Sequence, residues 1–283
     1  MMKPYFTFTF ALFAFLTAYL LAGETVPSDE INSGDNAQWE SAPAPPAYAR
    51  ISAPARLEEI IEKVKMQQLK IVEEIDDAVF LAESIYRERE KDDELKKELI
   101  VKKRVYMKSG GRHHEEYLGM ILNGRDLYGK EREKEIRDWK KKARRQQETK
   151  MPLTTESEGA YDYQLMGSAT WNGMEVWVVD FRARYRKDGY INGQGYVSKE
   201  SFNIVRAEFA PAKIPRVIED MKMFLTYSEV QGYWMPVKFK LNMKIRVGFL
   251  VDLFYRDIRI EDTYSEYQFN NQLEDSLFGS EQT

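Results

Sequence analysis

Along the chain the spacing of apolar residues alternates between two periods, and each change marks an element. Between Arg56 and Asp76, Leu57, Ile60, Ile61, Val64 and Leu69 recur at three- and four-residue steps among charged residues. That spacing predicts an amphipathic helix laid on a sheet. From Val79 the period falls to two. Val79–Arg89, Leu95–Met107 and Arg112–Leu122 read as strands, with Lys91-Asp92-Asp93 and Ser109-Gly110-Gly111 as turns and Asn123-Gly124 as a further turn. Lys130–Gln147 returns to helical spacing, with Ile136, Trp139 and Ala143 as a thin apolar stripe. Its acids come early (Glu131, Glu133, Glu135) and its bases late (Lys140, Lys141, Lys142, Arg144, Arg145), the order that complements a helix dipole.

Tyr161 to Asn270 is nearly continuous strand and turn. Tyr161, Tyr163, Leu165, Gly167, Ala169 and Trp171 are expected on one strand face, and Asn172-Gly173 is a hairpin turn. The return strand places Trp177, Val179, Phe181, Ala183 and Tyr185 together. The clearest alternation is Val237, Phe239, Leu241, Met243, Ile245 and Val247 against Lys238, Lys240, Asn242, Lys244 and Arg246, which predicts one wet face and one dry face. Gly189–Gly195 reads as a mobile loop, Ile214–Met223 as including a short helix, and Phe249–Glu261 as a last segment. The pattern as a whole predicts an α+β chain, mainly β and antiparallel.

The first residues differ in kind. Lys3 is followed by the uncharged run Tyr5–Gly23, rich in Phe and Leu, and Glu24–Pro54 is rich in Pro and Ala without an apolar period. The expected division is a signal peptide or retained anchor over residues 1–23, a disordered linker over 24–54, and one folded domain over 55–283. Either reading of the first segment places the remainder in the periplasm or cell envelope.

Composition narrows the chemistry. The 283 residues carry a net charge of −4 and 13% aromatics, and there is no cysteine. A near-neutral balance gives no field for nucleic acid, and the lack of cysteine removes disulfides, thiolate nucleophiles and cysteine–zinc sites. The two histidines, His113 and His114, are neighbours on a strand, so their rings point to opposite faces and do not converge on one metal. The acid pairs Asp92/Asp93 and Glu261/Asp262 are read as solvated groups at turns or strand ends. No catalytic residue, metal or cofactor is called for, and the expectation is a protein that is not an enzyme.

The segments YDYQLMG, WNGMEVWVVDF, GYVSKESFNIVRAEF, TYSEVQGYWMPVKFKLNMKI and IEDTYSEYQFN follow one another between Tyr161 and Asn270. In this order of strands and turns the stretch resembles the LolA/LolB-like family of bacterial outer-membrane lipoprotein-sorting proteins. The region from Arg56 to Gln147 matches only by its order of elements. The resemblance implies an incomplete antiparallel β-barrel, a half-barrel, with helices covering the concave side and an apolar cavity between sheet and helices. It also implies a carrier or binder of lipid or lipoprotein acyl chains. An alternative is a non-catalytic structural or sensing envelope protein that uses the same fold to bind another protein. The chain departs from the pattern in lacking a lipobox cysteine, in its long proline-rich linker and in its basic second helix.

Two sets of side chains are candidates for contact. Tyr161, Tyr163, Trp171, Trp177, Phe181, Tyr185, Phe239, Leu241 and Met243 are expected to line the cavity, since aromatics on a concave sheet can hold an acyl chain. Lys140, Lys141, Arg144 and Arg145 are expected to meet anionic headgroups or an acidic partner. The expected partners are lipid or acylated lipoprotein cargo and partner proteins of the inner or outer membrane.

Overall fold

A computed structural model describes residues 54–109, 111–143, 149–247 and 254–278. The signal or anchor and nearly all of the linker read from the sequence lie outside these residues.

Helix α1 (Pro54–Glu74) opens with proline, which is preset for a first helical turn. It buries Ile60, Val64 and Ile71 along one stripe, while Glu58, Glu59 and Glu62 face water. Asn270 joins the end of the helix to the sheet: its side-chain amide donates to the Glu74 carbonyl at 2.9 Å, and its Oδ1 accepts from Asp76 N at 2.8 Å. The next residue, Asp77, is buried and accepts backbone N–H bonds from Asn271 and Leu273 at 2.6 and 2.9 Å.

The chain then runs through β1 (Asp77–Arg89), β2 (Leu95–Lys108), β3 (Arg112–Leu122) and the short β4 (Arg125–Asp126). Helix α2 (Gly129–Ala143) follows, and the expected continuation to Gln147 falls outside the described residues. After it come β5 (Tyr161–Trp171), β6 (Met174–Ala183), β7 (Ile191–Ser198), β8 (Ile204–Pro211), β9 (Ile218–Val230), β10 (Tyr233–Val247) and β11 (Phe254–Phe269). Three two-residue hairpins, Asn123-Gly124, Asn172-Gly173 and Gln231-Gly232, have positive φ at both positions, the form that matches strand twist.

All eleven strands form one antiparallel sheet in the order β4-β3-β2-β1-β11-β10-β9-β8-β7-β6-β5. Sequence neighbours pair throughout except at β1–β11, where Ala78 lies opposite Phe269 and the first meander is stitched to the second. The outermost strands, β4 and β5, do not pair with each other, so the sheet is open: mainly β and antiparallel, as the periodicity predicts, and a half-barrel, as the resemblance implies. Among the described residues no helix is long and apolar enough to cross a membrane.

Four local expectations are corrected. Tyr161 to Trp171 do not keep one face: Leu165 lies opposite Val179 and Gly167 opposite Val178, so Met166 is an extra residue in a β-bulge. A bulge shifts the period-two phase by one, which sends Trp171 to the other face. Gly189–Gly195 is not a loop throughout, because β7 begins at Ile191. Ile214–Met223 holds no helix; Ile218 N closes a turn onto Pro215 O at 3.0 Å and β9 starts there. Glu261 and Asp262 are not at a strand end but well inside β11.

Candidate functional site

The cross-strand register assembles a continuous surface on the face that α1 covers. One row runs Tyr163–Phe181–Gly193–Phe209–Met223 across β5 to β9. It continues as Leu241–Ile260–Tyr86–Leu99–Leu122 across β10, β11, β1, β2 and β3. Ten strands thus contribute to one line of side chains, and glycine sits at the only gap. A Cβ at Gly193 would lie 2.0 Å from the Glu208 carbonyl oxygen, so β7 and β8 reach this approach only without a side chain there.

Of the nine residues expected to line a cavity, Tyr161, Tyr163, Trp177, Phe181, Phe239, Leu241 and Met243 are on this inner face. Phe181, Phe239, Leu241 and Met243 are 0–1% exposed, so the chain's own side chains enclose them. Trp177 packs with Val64, Val179 and Val197, and the Arg56 guanidinium lies 4.2 Å from its ring. Tyr161 is buried and donates to the Lys150 carbonyl at 2.5 Å; the half-buried Tyr163 accepts from Leu153 N at 2.9 Å. The other two residues are elsewhere. Trp171 is on the outer face, with the Arg206 guanidinium 4.1 Å from its ring, and Tyr185 is beyond the end of β6 and 46% exposed.

A second row, parallel to the first, runs Val179–Gly195–Ala207–Leu225–Phe239 and then meets Asp262–Ser84 before returning to Val101 and Met120. Asp262 and Ser84 are each 1% exposed. Beside them, Tyr264 opposes Ala82, Ala82 opposes Lys103, and Lys103 opposes Tyr117. A polar inlay is therefore set into an otherwise apolar wall. Lys103, itself buried, donates to Glu115 Oε1 at 2.5 Å, and the Tyr117 hydroxyl donates to Glu115 Oε2 at 2.7 Å. Burial pushes Glu115 up, but the Lys103 charge and these hydrogen bonds outweigh it and hold the carboxyl below its usual range. Asp262 is less well served. Tyr264 donates to its Oδ2 at 3.2 Å, whereas Oδ1 has no hydrogen-bond partner. Desolvation pushes the Asp262 carboxyl up to about 6, against the opposing effects of a loose hydrogen bond from Ser84, the Lys103 charge and the Tyr264 hydrogen bond.

The sequence does contain a signal for this inlay. Lys103 occupies the apolar phase of β2, between the buried Val101 and Val105. Asp262 likewise interrupts Ile258, Ile260 and Tyr264 in β11. A charge at an apolar-phase position is the informative exception, and periodicity read for its matches alone passes over it.

The basic helix is only partly placed. Ile136 and Trp139 of α2 pack on the main core, the Arg132 guanidinium donates to the Tyr117 carbonyl, and the exposed Lys140 lies 5.7 Å from the Tyr117 ring. The Lys141 side chain, Arg144 and Arg145 fall outside the described residues. His113 and His114 are both exposed at the start of β3, and no group of three metal-ligating side chains occurs among the described residues.

Three solved structures are similar in arrangement. The first is a DUF1329 family protein from Desulfovibrio piger, 14% identical, with 79% of this chain and 97% of that one covered and a TM-score of 0.39. The second, from Vibrio parahaemolyticus, is described as an outer membrane lipoprotein-sorting protein domain: 13% identity, 78% and 97% coverage, TM-score 0.40. The third is a LolA superfamily protein from Nitrosomonas europaea: 14% identity, 78% and 96% coverage, TM-score 0.36. No curated protein sequence matches. The sequence model of DUF5686, a family of unknown function, matches residues 55–258, from the start of α1 into β11, and the chain belongs to that family.

Proposed function

We propose that this protein is an exported, non-catalytic binder of lipid or lipoprotein acyl chains, which it takes up against the inner face of its open sheet. The observation that carries this reading is the apolar row across β5 to β11 and β1 to β3, interrupted only at Gly193. Its scale matters. Eleven strands span about 50 Å laid flat, whereas helices of 21 and 15 residues are about 32 and 22 Å long and about 10 Å wide. Two such helices cannot roof that area alone, and Leu127, Met151 and Leu153 from the connecting segments also pack against it. Displacing α1 or α2 then uncovers apolar surface suited to a chain, at roughly 0.8 kcal/mol per buried CH₂. The uncharged run Tyr5–Gly23 supports export to the periplasm or envelope.

The near-zero exposure of Phe239 and Leu241 favours a second reading, in which the inner face is a filled core and the protein is a structural or sensing element that contacts another protein. Saturable binding separates the two. The delipidated full chain should bind a fluorescent fatty-acid probe, and excess probe should raise its melting temperature by ligand linkage. Trp177→Ala or Phe181→Ala should weaken binding more than Arg182→Ala on the opposite face. A folded protein that shows no saturable binding would rule out the acyl-chain reading and leave the second.

A further inference from the structure

The acyl-chain reading says nothing about the polar end of the bound molecule, and the inlay in the inner face bears on that. Across Ser84, Lys103, Glu115 and Asp262 the formal charges are one positive and two negative. Lys103 is committed to Glu115 at 2.5 Å, which leaves Asp262 without a countercharge in direct contact. The nearby phenols of Tyr264 and Tyr117 remain neutral, because burial pushes both far above their ordinary range. Asp262 Oδ1 is buried and no donor meets it in good geometry; the Ser84 hydroxyl acts on the carboxyl and Tyr264 bonds Oδ2, but neither brings a charge, and a buried carboxylate so served is costly. Phe239 on β10 stands directly opposite Asp262, so the apolar row begins at the carboxylate's side.

We propose that Asp262, with Ser84 and Lys103 beside it, receives the hydrogen-bond-donating, cationic head of an amphiphile whose chain lies along the Phe239–Leu241 side of the inner face. An ammonium supplies both what Oδ1 lacks, a donor, and what the inlay lacks, a positive charge. A carboxylate head supplies neither and adds repulsion. This inference rests on the acyl-chain reading and adds to it a preference for amine-headed molecules.

The test compares dodecylamine, dodecanol and dodecanoate, each below its micelle concentration, as competitors of a fluorescent probe on the delipidated full chain at pH 8. The amine is expected to bind at least tenfold more tightly than the acid. Asp262→Asn should cut that preference at least tenfold while leaving dodecanol within about threefold. Surface carboxylates remain in this variant, so the difference isolates the buried one. Ser84→Ala serves as a second variant should Asp262→Asn fold poorly, and should reduce the preference in the same direction. Wild-type protein at pH 5, where Asp262 is mostly protonated, should also lose most of the amine's advantage over dodecanol, which does not titrate. Binding of all three amphiphiles without preference overturns the inference and leaves the acyl-chain reading standing. Binding of none overturns both.

Discussion

Asp262 has the environment whose consequences are easiest to measure. Its carboxyl titrates at about 6 in the folded chain against an ordinary value of 3.8, because burial disfavours the charged form. Folding therefore favours the protonated acid. The contribution to stability is full below about pH 4 and is lost as pH rises through about 6. Glu115 acts in the opposite sense, since its lowered value gives stability that is lost as pH falls. The other groups acting on Asp262 are Lys103 from β2, Ser84 from β1, and Tyr264 and Glu261 from β11 itself. Asp262→Asn mimics the neutral form at every pH. Relative to wild type it should gain about 1–2 kcal/mol between pH 5 and 8, which is a few degrees in melting temperature. A stability difference that stays constant over that range would show that Asp262 is not the buried, unpaired carboxylate described here. Individual residues were legible in the sequence wherever they obeyed the local period, as Phe239, Leu241 and Met243 do. Trp171 was not, because its face depends on one extra residue, Met166, whose bulge is defined only against the partner strand.

At the scale of elements, α2 offers the sharper contrast between local and tertiary cause. The thin stripe of Ile136 and Trp139 was readable, and it docks on the core as a weakly amphipathic helix should. Beside that stripe, Arg132 bonds the Tyr117 carbonyl and Glu135 pairs with Lys97, while Lys140 is exposed. Reversing Lys140, Lys141, Arg144 and Arg145 to Glu should abolish binding of the protein to vesicles rich in anionic lipid. Raising salt on the wild type should reproduce the loss, since exposed charges are screened within about 10 Å. Unchanged vesicle binding in both arms would make α2 a solvated support and nothing more. The elements misread from sequence share a cause. The stretch before Met223 carries a mixed pattern, and β9 forms there because β10 offers a ladder, with Met221 opposite Met243 and Leu225 opposite Phe239. The glycines before Val197 look like loop, yet Gly193 is in the strand because β8 comes too close for any other residue.

For the molecule as a whole, the open sheet and its two helices have unequal claims to stability. The central strands β9 to β11 are paired on both sides, whereas α1 and α2 are held mainly by their apolar stripes and by junctions such as Asn270. Uncovering the inner face should therefore be a local opening of the helices with the ladder intact. Hydrogen exchange should show α1 and α2 amides exchanging at least tenfold faster than those of β10, and bound fatty-acid probe should slow the helices selectively. Exchange of helices and central strands in a single step would mean that the inner face opens only on global unfolding. The sequence by itself determined the two helices, the first three strands, the two Asn-Gly turns, the absence of cysteine chemistry and the dry face of β10, because all of these depend on local period, turn residues and composition. Tertiary structure alone decided that β1 pairs with β11, that Met166 turns Trp171 outward, and that Ser84, Lys103, Glu115 and Asp262 converge from four strands. The physical reason is register: a contact between strands distant in sequence depends on how the ladders slide into place, and no local pattern encodes that offset.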